Sequence, residues 1–184
     1  MKLASALDVC RDLQAGRLSA VELMTETYRR INLINPKVNA LVNLVDEAEA
    51  LKEASKADQV PVEKRGVLHG LPMAAKDLIQ VRGLPTTMGF KPFENNIALV
   101  DDPLVSRLRE AGAILIGHSN TPEFGLGSHT FNSLFGKTLN PYDPTKTPGG
   151  SSGGAAVSLA TEMLMLADGS DMGGSLRNPA SFCN

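Results

Sequence analysis

Two glycine–serine clusters constrain this chain more than any other feature: Pro148-Gly149-Gly150-Ser151-Ser152-Gly153-Gly154 and, further on, Asp171-Met172-Gly173-Gly174-Ser175. Glycine lets the backbone take positive φ and approach a ligand closely, so a hydroxyl framed by glycines is an accessible hydroxyl. The bland reading of the first cluster is a flexible Gly/Ser linker. An apolar, helix-like segment from Ala155 to Met163 follows it directly, however, and a linker needs none. The second cluster, read alone, is an ordinary tight turn. A phosphate-binding loop would end in Gly-Lys-Ser/Thr, and Gly153-Gly154-Ala155 supplies no lysine. Gly149-Gly150-Ser151-Ser152-Gly153 satisfies the G-x-S-x-G nucleophile elbow, but that elbow follows a strand, and Tyr142 to Pro148 is a poor one. It also needs a later histidine, and His69, His118 and His129 all come earlier.

A serine hydroxyl is a weak nucleophile until an adjacent base takes its proton. With no histidine downstream, a lysine kept neutral by burial can be that base. Lys76 is the candidate, approached by the uncharged run Pro72-Met73-Ala74-Ala75. The competing reading is a surface lysine paired with Asp77, and residue type alone favours it, because lysines are rarely buried.

Around these residues the chain reads as a helical lead-in followed by alternating strands and helices. The spacing predicts a helix from Ala4 to Ala15 closed by Gly16. Ser19 and Glu22 form a capping box for a second helix with an apolar face of Val21, Met24, Tyr28, Ile31 and Ile34, stopped at Asn35-Pro36. Ala40 to Val45 is a short strand, and Asp46 opens a charged, Ala-rich helix that fades near Asp58. From Gly66 onward, strands at Leu71–Lys76, Ala113–Gly117 and Leu164–Ala167 alternate with helices at Leu104–Ala111 and Ala155–Met163, which favours an α/β sheet. Residues 132 to 150, with three prolines, read as a long ordered loop. There are no repeats, and the only linker-like stretch is Ser55 to Lys64. The organisation expected is a lead-in over residues 1–65 and a catalytic portion over 66–184.

Composition narrows the function classes. A chain of 184 residues, 42% hydrophobic and 21% charged, supports one globular domain. A net charge of −2 offers no polybasic surface for nucleic acid or anionic lipid. Cys10 and Cys183 lack metal-type spacing and fit a reduced, cytoplasmic protein. Charges at Lys2, Asp8, Arg11 and Asp12 exclude a signal-peptide core, and no apolar run reaches the roughly eighteen residues of a membrane span.

Taken together, four blocks resemble the amidase signature family. They are Gly70-Leu71-Pro72 leading to Ala75-Lys76-Asp77, then Asn120-Thr121-Pro122-Glu123-Phe124, then the first glycine–serine cluster, and last Gly169 to Arg177 with Pro179 to Cys183. The resemblance covers nearly the whole chain and implies an α/β fold, a mixed central sheet flanked by helices, incomplete in this chain. It implies that Ser175 is the nucleophile that forms an acyl-enzyme and Lys76 the general base. Ser151, 24 positions before Ser175 and following a cis peptide bond, bridges the two. A serine can donate and accept at once, so it can pass a proton over hydrogen bonds of about 2.6–3.2 Å. The backbone N–H groups of Met172, Gly173, Gly174 and Ser175 correspond to the oxyanion hole. Gly125, Leu126, Gly127 and Ser128 correspond to the acyl pocket, with His129 beside them as a pocket or surface residue. Asp171 and Arg177 orient the nucleophile loop. Glu162 and Met165 stand where the family often has Gly and Pro. The implied reaction is hydrolysis of a small-molecule carboxylic amide without metal or organic cofactor, by a protein for which a homo-oligomer is open. Two other readings stay open: a glutamine-dependent amidotransferase A-type subunit that releases ammonia for a partner, and an inactive truncated remnant. Because family members continue well past the nucleophile, the chain is expected to be a fragment of a larger enzyme, poorly soluble and inactive alone.

Overall fold

The computed structural model describes residues 5–184; the expected helix start at Ala4 lies outside them. Helix α1 (Ala6–Gln14) opens on Ser5, whose hydroxyl accepts the Asp8 N–H, and is followed by Gly16 at φ +71°. Helix α2 (Ala20–Val38) has the reciprocal Ser19–Glu22 capping box. It runs past the predicted stop: Pro36 lies in its last turn and forfeits a single N–H there. The helix closes at Asn39, which takes φ +52° and donates its N–H to the Asn35 carbonyl at 2.7 Å. Asn35 Oδ1 meanwhile accepts the N–H groups of Ala40 and Leu41, so the chain leaves the helix with its donors satisfied.

Strand β1 is only Leu41–Val42, because Asn43 turns to φ +47°. Helix α3 (Glu47–Asp58) starts at Asp46, as expected. Strand β2 (Pro72–Lys76), helix α4 (Pro103–Glu110, with Pro at its first position) and strand β3 (Ile114–Ser119) follow. The three strands form a mixed sheet ordered β1-β3-β2, β1 antiparallel to β3 and β2 parallel to it, with Lys76 opposite Ser119. One core joins the lead-in to this sheet: Met24, Tyr28 and Ile31 of α2 bury in the same cluster as Met73, Leu115, Ile116 and Val157.

The predicted loop over 132–150 is irregular except at its start, where β4 (Phe131–Asn132) and β5 (Gly136–Lys137) make a small hairpin. Asn132 Oδ1 fixes the turn by accepting the N–H groups of Leu134 and Phe135. Helix α5 (Gly153–Ala160) starts within the first glycine–serine cluster and α6 (Arg177–Cys183) just after the second. Gly154 lets α5 lie directly on the sheet: a Cβ there would stand 2.3 Å from the Asn120 nitrogen and 2.5 Å from the Ala40 carbonyl.

The expected strand at Leu164–Ala167 does not form. Glu162 breaks the chain direction at φ +56°, and the N–H groups of Met163 and Leu164 both fold back on the Ser158 carbonyl. Arg30 anchors that corner, its guanidinium 2.9 Å from the Glu162 carboxylate. On the free edge of β2, the Lys76 N–H is taken by the side chain of Asp168 at 2.8 Å rather than by a strand. Among the described residues no helix is long and apolar enough to cross a membrane.

Candidate active site

Three segments distant in sequence converge at the C-terminal end of β2. Lys76, the last residue of that strand, points inward and is 1% exposed. Its Nζ lies 2.7 Å from Ser151 Oγ, 2.9 Å from Ser152 Oγ and 3.0 Å from Ser170 Oγ. The surface pairing with Asp77 does not occur. Asp77 is itself buried and accepts from the Thr87 N–H, the Thr87 hydroxyl and the Gly89 N–H. Burial lowers the Lys76 pKa from 10.5 to about 8, and the nearby carboxylates of Asp168 and Asp171 pull the other way. Near neutrality a usable fraction of the amine therefore carries a free lone pair.

The Gly150–Ser151 peptide bond is cis, as expected. Ser151 is buried at the head of α5 and borders a cleft of about 480 Å³. Ser175 lines the same cleft from the turn that precedes α6, together with Gly125, Leu126, Gly127, Ser128, Met172, Gly173 and Gly174. The predicted acyl-pocket and oxyanion segments thus face one space, bounded on its apolar side by Leu78 and Phe124. The relay is half closed. Lys76 and Ser151 are hydrogen-bonded, whereas among the described residues no hydrogen bond joins the Ser175 hydroxyl to Ser151. Ser175 is tied in through its carbonyl, which accepts the Ser152 N–H at 3.1 Å. Met172 and Gly173 of the turn carrying Ser175 are exposed, whereas Gly174 is buried and Asp171 and Ser175 are half-buried.

The oxyanion expectation needs one correction. The Gly174 N–H donates to Asp171 Oδ1 at 2.7 Å, which commits it, and leaves Met172, Gly173 and Ser175 as the N–H groups available there. Asp171 also accepts the N–H groups of Leu176 and Arg177 and two guanidinium contacts of Arg177 at 3.0 Å. The Arg177 guanidinium, with the Gly174 N–H next, holds the Asp171 carboxyl far below the usual carboxylate range. None of the three histidines lines the cleft. His69 and His118 are buried elsewhere, and His129 is exposed beside Thr147. Sequence reasoning missed Asp168, Ser170 and the Ser152 contact. Ser152 and Ser170 sit inside the matched blocks, Asp168 lies one residue before the last of them, and nothing in their residue type marks them.

The family model described as Amidase matches residues 22–184. The chain belongs to the amidase signature family. The glutamyl-tRNA(Gln) amidotransferase A-subunit of Trichodesmium erythraeum is 43% identical over 98% of this chain and 38% of its own length. Among solved structures, fatty acid amide hydrolase superposes with a TM-score of 0.91 at 28% identity, over 98% of this chain and 32% of that one. The glutamyl-tRNA(Gln) amidotransferase A-subunit from Thermotoga maritima gives 0.81 at 35% identity, over 99% of this chain and 37% of that one. The α/β fold with a mixed sheet and flanking helices is therefore that of the amidase signature enzymes, in part. The chain spans a little over a third of the length of the curated relatives it matches.

Proposed function

We propose that this protein hydrolyses a carboxylic amide through an acyl-enzyme on Ser175. The observation that carries the proposal is the buried Lys76 amine set among serine hydroxyls with no carboxylate bonded to it among the described residues. A lysine in an ordinary structural role would be exposed or paired. In the proposed step neutral Lys76 takes the Ser151 proton while Ser151 takes that of Ser175, and the Ser175 oxygen attacks the amide carbonyl. The N–H groups of Met172, Gly173 and Ser175 receive the developing negative charge. The relay then runs backward, delivering the proton to the departing nitrogen, and water releases the acid by the same route. Residues 1–65 serve as the lead-in and 66–184 as the catalytic portion.

The apolar flank of Leu78, Phe124 and Leu126 fits a small linear amide. A second reading is favoured by the relatives named as glutamyl-tRNA(Gln) amidotransferase A-subunits: glutamine as the amide, with ammonia passed to a partner protein in the cytoplasm. Ammonia release from glutamine and from simple aliphatic and aryl amides tests both. Turnover should fall by roughly a thousandfold or more in Ser175→Ala. Turnover that survives this substitution would remove the proposal.

A further inference from the structure

Lys76 Nζ has a neighbour that the Ser175–Ser151–Lys76 relay does not use. Ser170 Oγ lies 3.0 Å from it, reaching in from the segment between Asp168 and the nucleophile turn. A charged lysine has three N–H donors, and a neutral one has two donors and a lone pair. The hydroxyls of Ser151, Ser152 and Ser170, at 2.7, 2.9 and 3.0 Å, receive all three donors of the charged form. When the amine is neutral, one of the three hydroxyls must turn and donate to the lone pair. Ser152 is committed, because its hydroxyl donates to the Ser170 carbonyl at 3.3 Å. Ser151 is buried, and its hydroxyl has no acceptor besides Nζ among the described residues, so its proton must go to the lone pair or stay unsatisfied. Ser170 is exposed and can give its proton to solvent.

We propose that Ser170 is a positioning residue of the relay: it accepts one Lys76 N–H and so turns the amine's lone pair toward Ser151. This rests on the reading of Lys76 as the base. The other charged groups facing the amine are Asp168, on the free edge of β2, and Asp171, in the nucleophile loop. Helix α5 brings none, and His118 on β3 faces Asp77 and Asp168. These groups stay in place when Ser170 is changed.

The test is a carbon-13 NMR titration of lysine-labelled protein, with the Lys76 signal assigned by its loss in Lys76→Met. It is run on the unsubstituted protein, Ser170→Ala and Ser170→Thr, with acylation rates measured alongside. Ser170 is exposed, so Ser170→Ala removes a hydroxyl without opening the core. In Ser170→Ala the charged amine loses an acceptor, so its proton affinity should fall about tenfold and its titration should move about one pH unit lower. The acylation rate at high pH should also fall about tenfold, and Ser170→Thr should restore both. A Lys76 titration unmoved in Ser170→Ala, or Ser170→Thr behaving like Ser170→Ala, overturns the proposal. The titration does not need Ser175 to react, so it is repeated in a Ser175→Ala background. The same shift there supports the Ser170 role even if the acyl-enzyme reading has failed, and its absence overturns that role.

Discussion

At the residue scale, Asp171 holds the shape of the loop that presents Ser175. Its two oxygens collect the N–H groups of Gly174, Leu176 and Arg177 and the Arg177 guanidinium. Asp171→Asn exchanges an acceptor-only group for one that is half donor, and one of these contacts must become a repulsion. Acylation should slow about a hundredfold, the scale on which a misplacement of about 1 Å costs rate. Progress curves with a chromogenic anilide check this. The pH dependence separates the two charged groups. A depressed carboxylate pKa keeps the loop assembled above the unfolded value and loses it only as pH falls through the folded one. The acid limb of the acylation rate should therefore follow Lys76, near pH 8, with no second limb near 4. Lys76, Ser151 and Ser175 were singled out by the resemblance of four sequence blocks to the amidase signature family, since residue type alone favoured a surface lysine and an ordinary tight turn. Asp168, Ser152 and Ser170 were not, because a common polar residue gains its meaning from a partner that arrives from elsewhere in the chain: the Lys76 backbone N–H for Asp168, the Lys76 amine for the two serines.

At the element scale, the position of Ser151 depends on how closely α5 lies on the sheet. Gly154→Ala would drive a methyl group into the backbone of Asn120 and Ala40, and neither can yield without moving β1 or β3. This should destabilise the protein by about 3 kcal/mol in a denaturant titration. Gly173→Ala meets no atom within 4 Å and should leave stability within about 0.5 kcal/mol. Element types were largely readable, because caps and periodicity are local: Ser19–Glu22, Asp46 and Gly16 all act as their chemistry predicts. The misses share a cause. Pro36 did not stop α2 because Asn35 and Asn39 close the helix beyond it, a cap built from side-chain contacts that periodicity does not record. Leu164 to Ala167 carries a strand's apolar run, but strand formation needs a partner edge, and there the edge of β2 is met by Asp168.

At the scale of the whole molecule, the buried amine links stability to pH. The folded pKa of Lys76, about 8, is below its unfolded value of 10.5, so between them the unfolded chain binds more protons and stability rises with pH. Below pH 8 the full cost of burying the charge is present, on the order of 3 kcal/mol. Lys76→Met, of similar length and without charge, should therefore be more stable than the unsubstituted protein at pH 7, and the gain should vanish by pH 10.5. Urea titrations at the two pH values check the sign. Lys76, Ser151 and Ser175 are proposed to act as one unit, and covalent labelling tests this most directly. A fluorophosphonate is applied to the protein and the modified peptide is mapped by mass spectrometry. Ser175 should carry the adduct, and labelling should slow by roughly a thousandfold in Lys76→Met, which leaves Ser175 without its base. An adduct on Ser151 or Ser152 with Ser175 unmodified, or labelling of Ser175 that does not depend on Lys76, would contradict it.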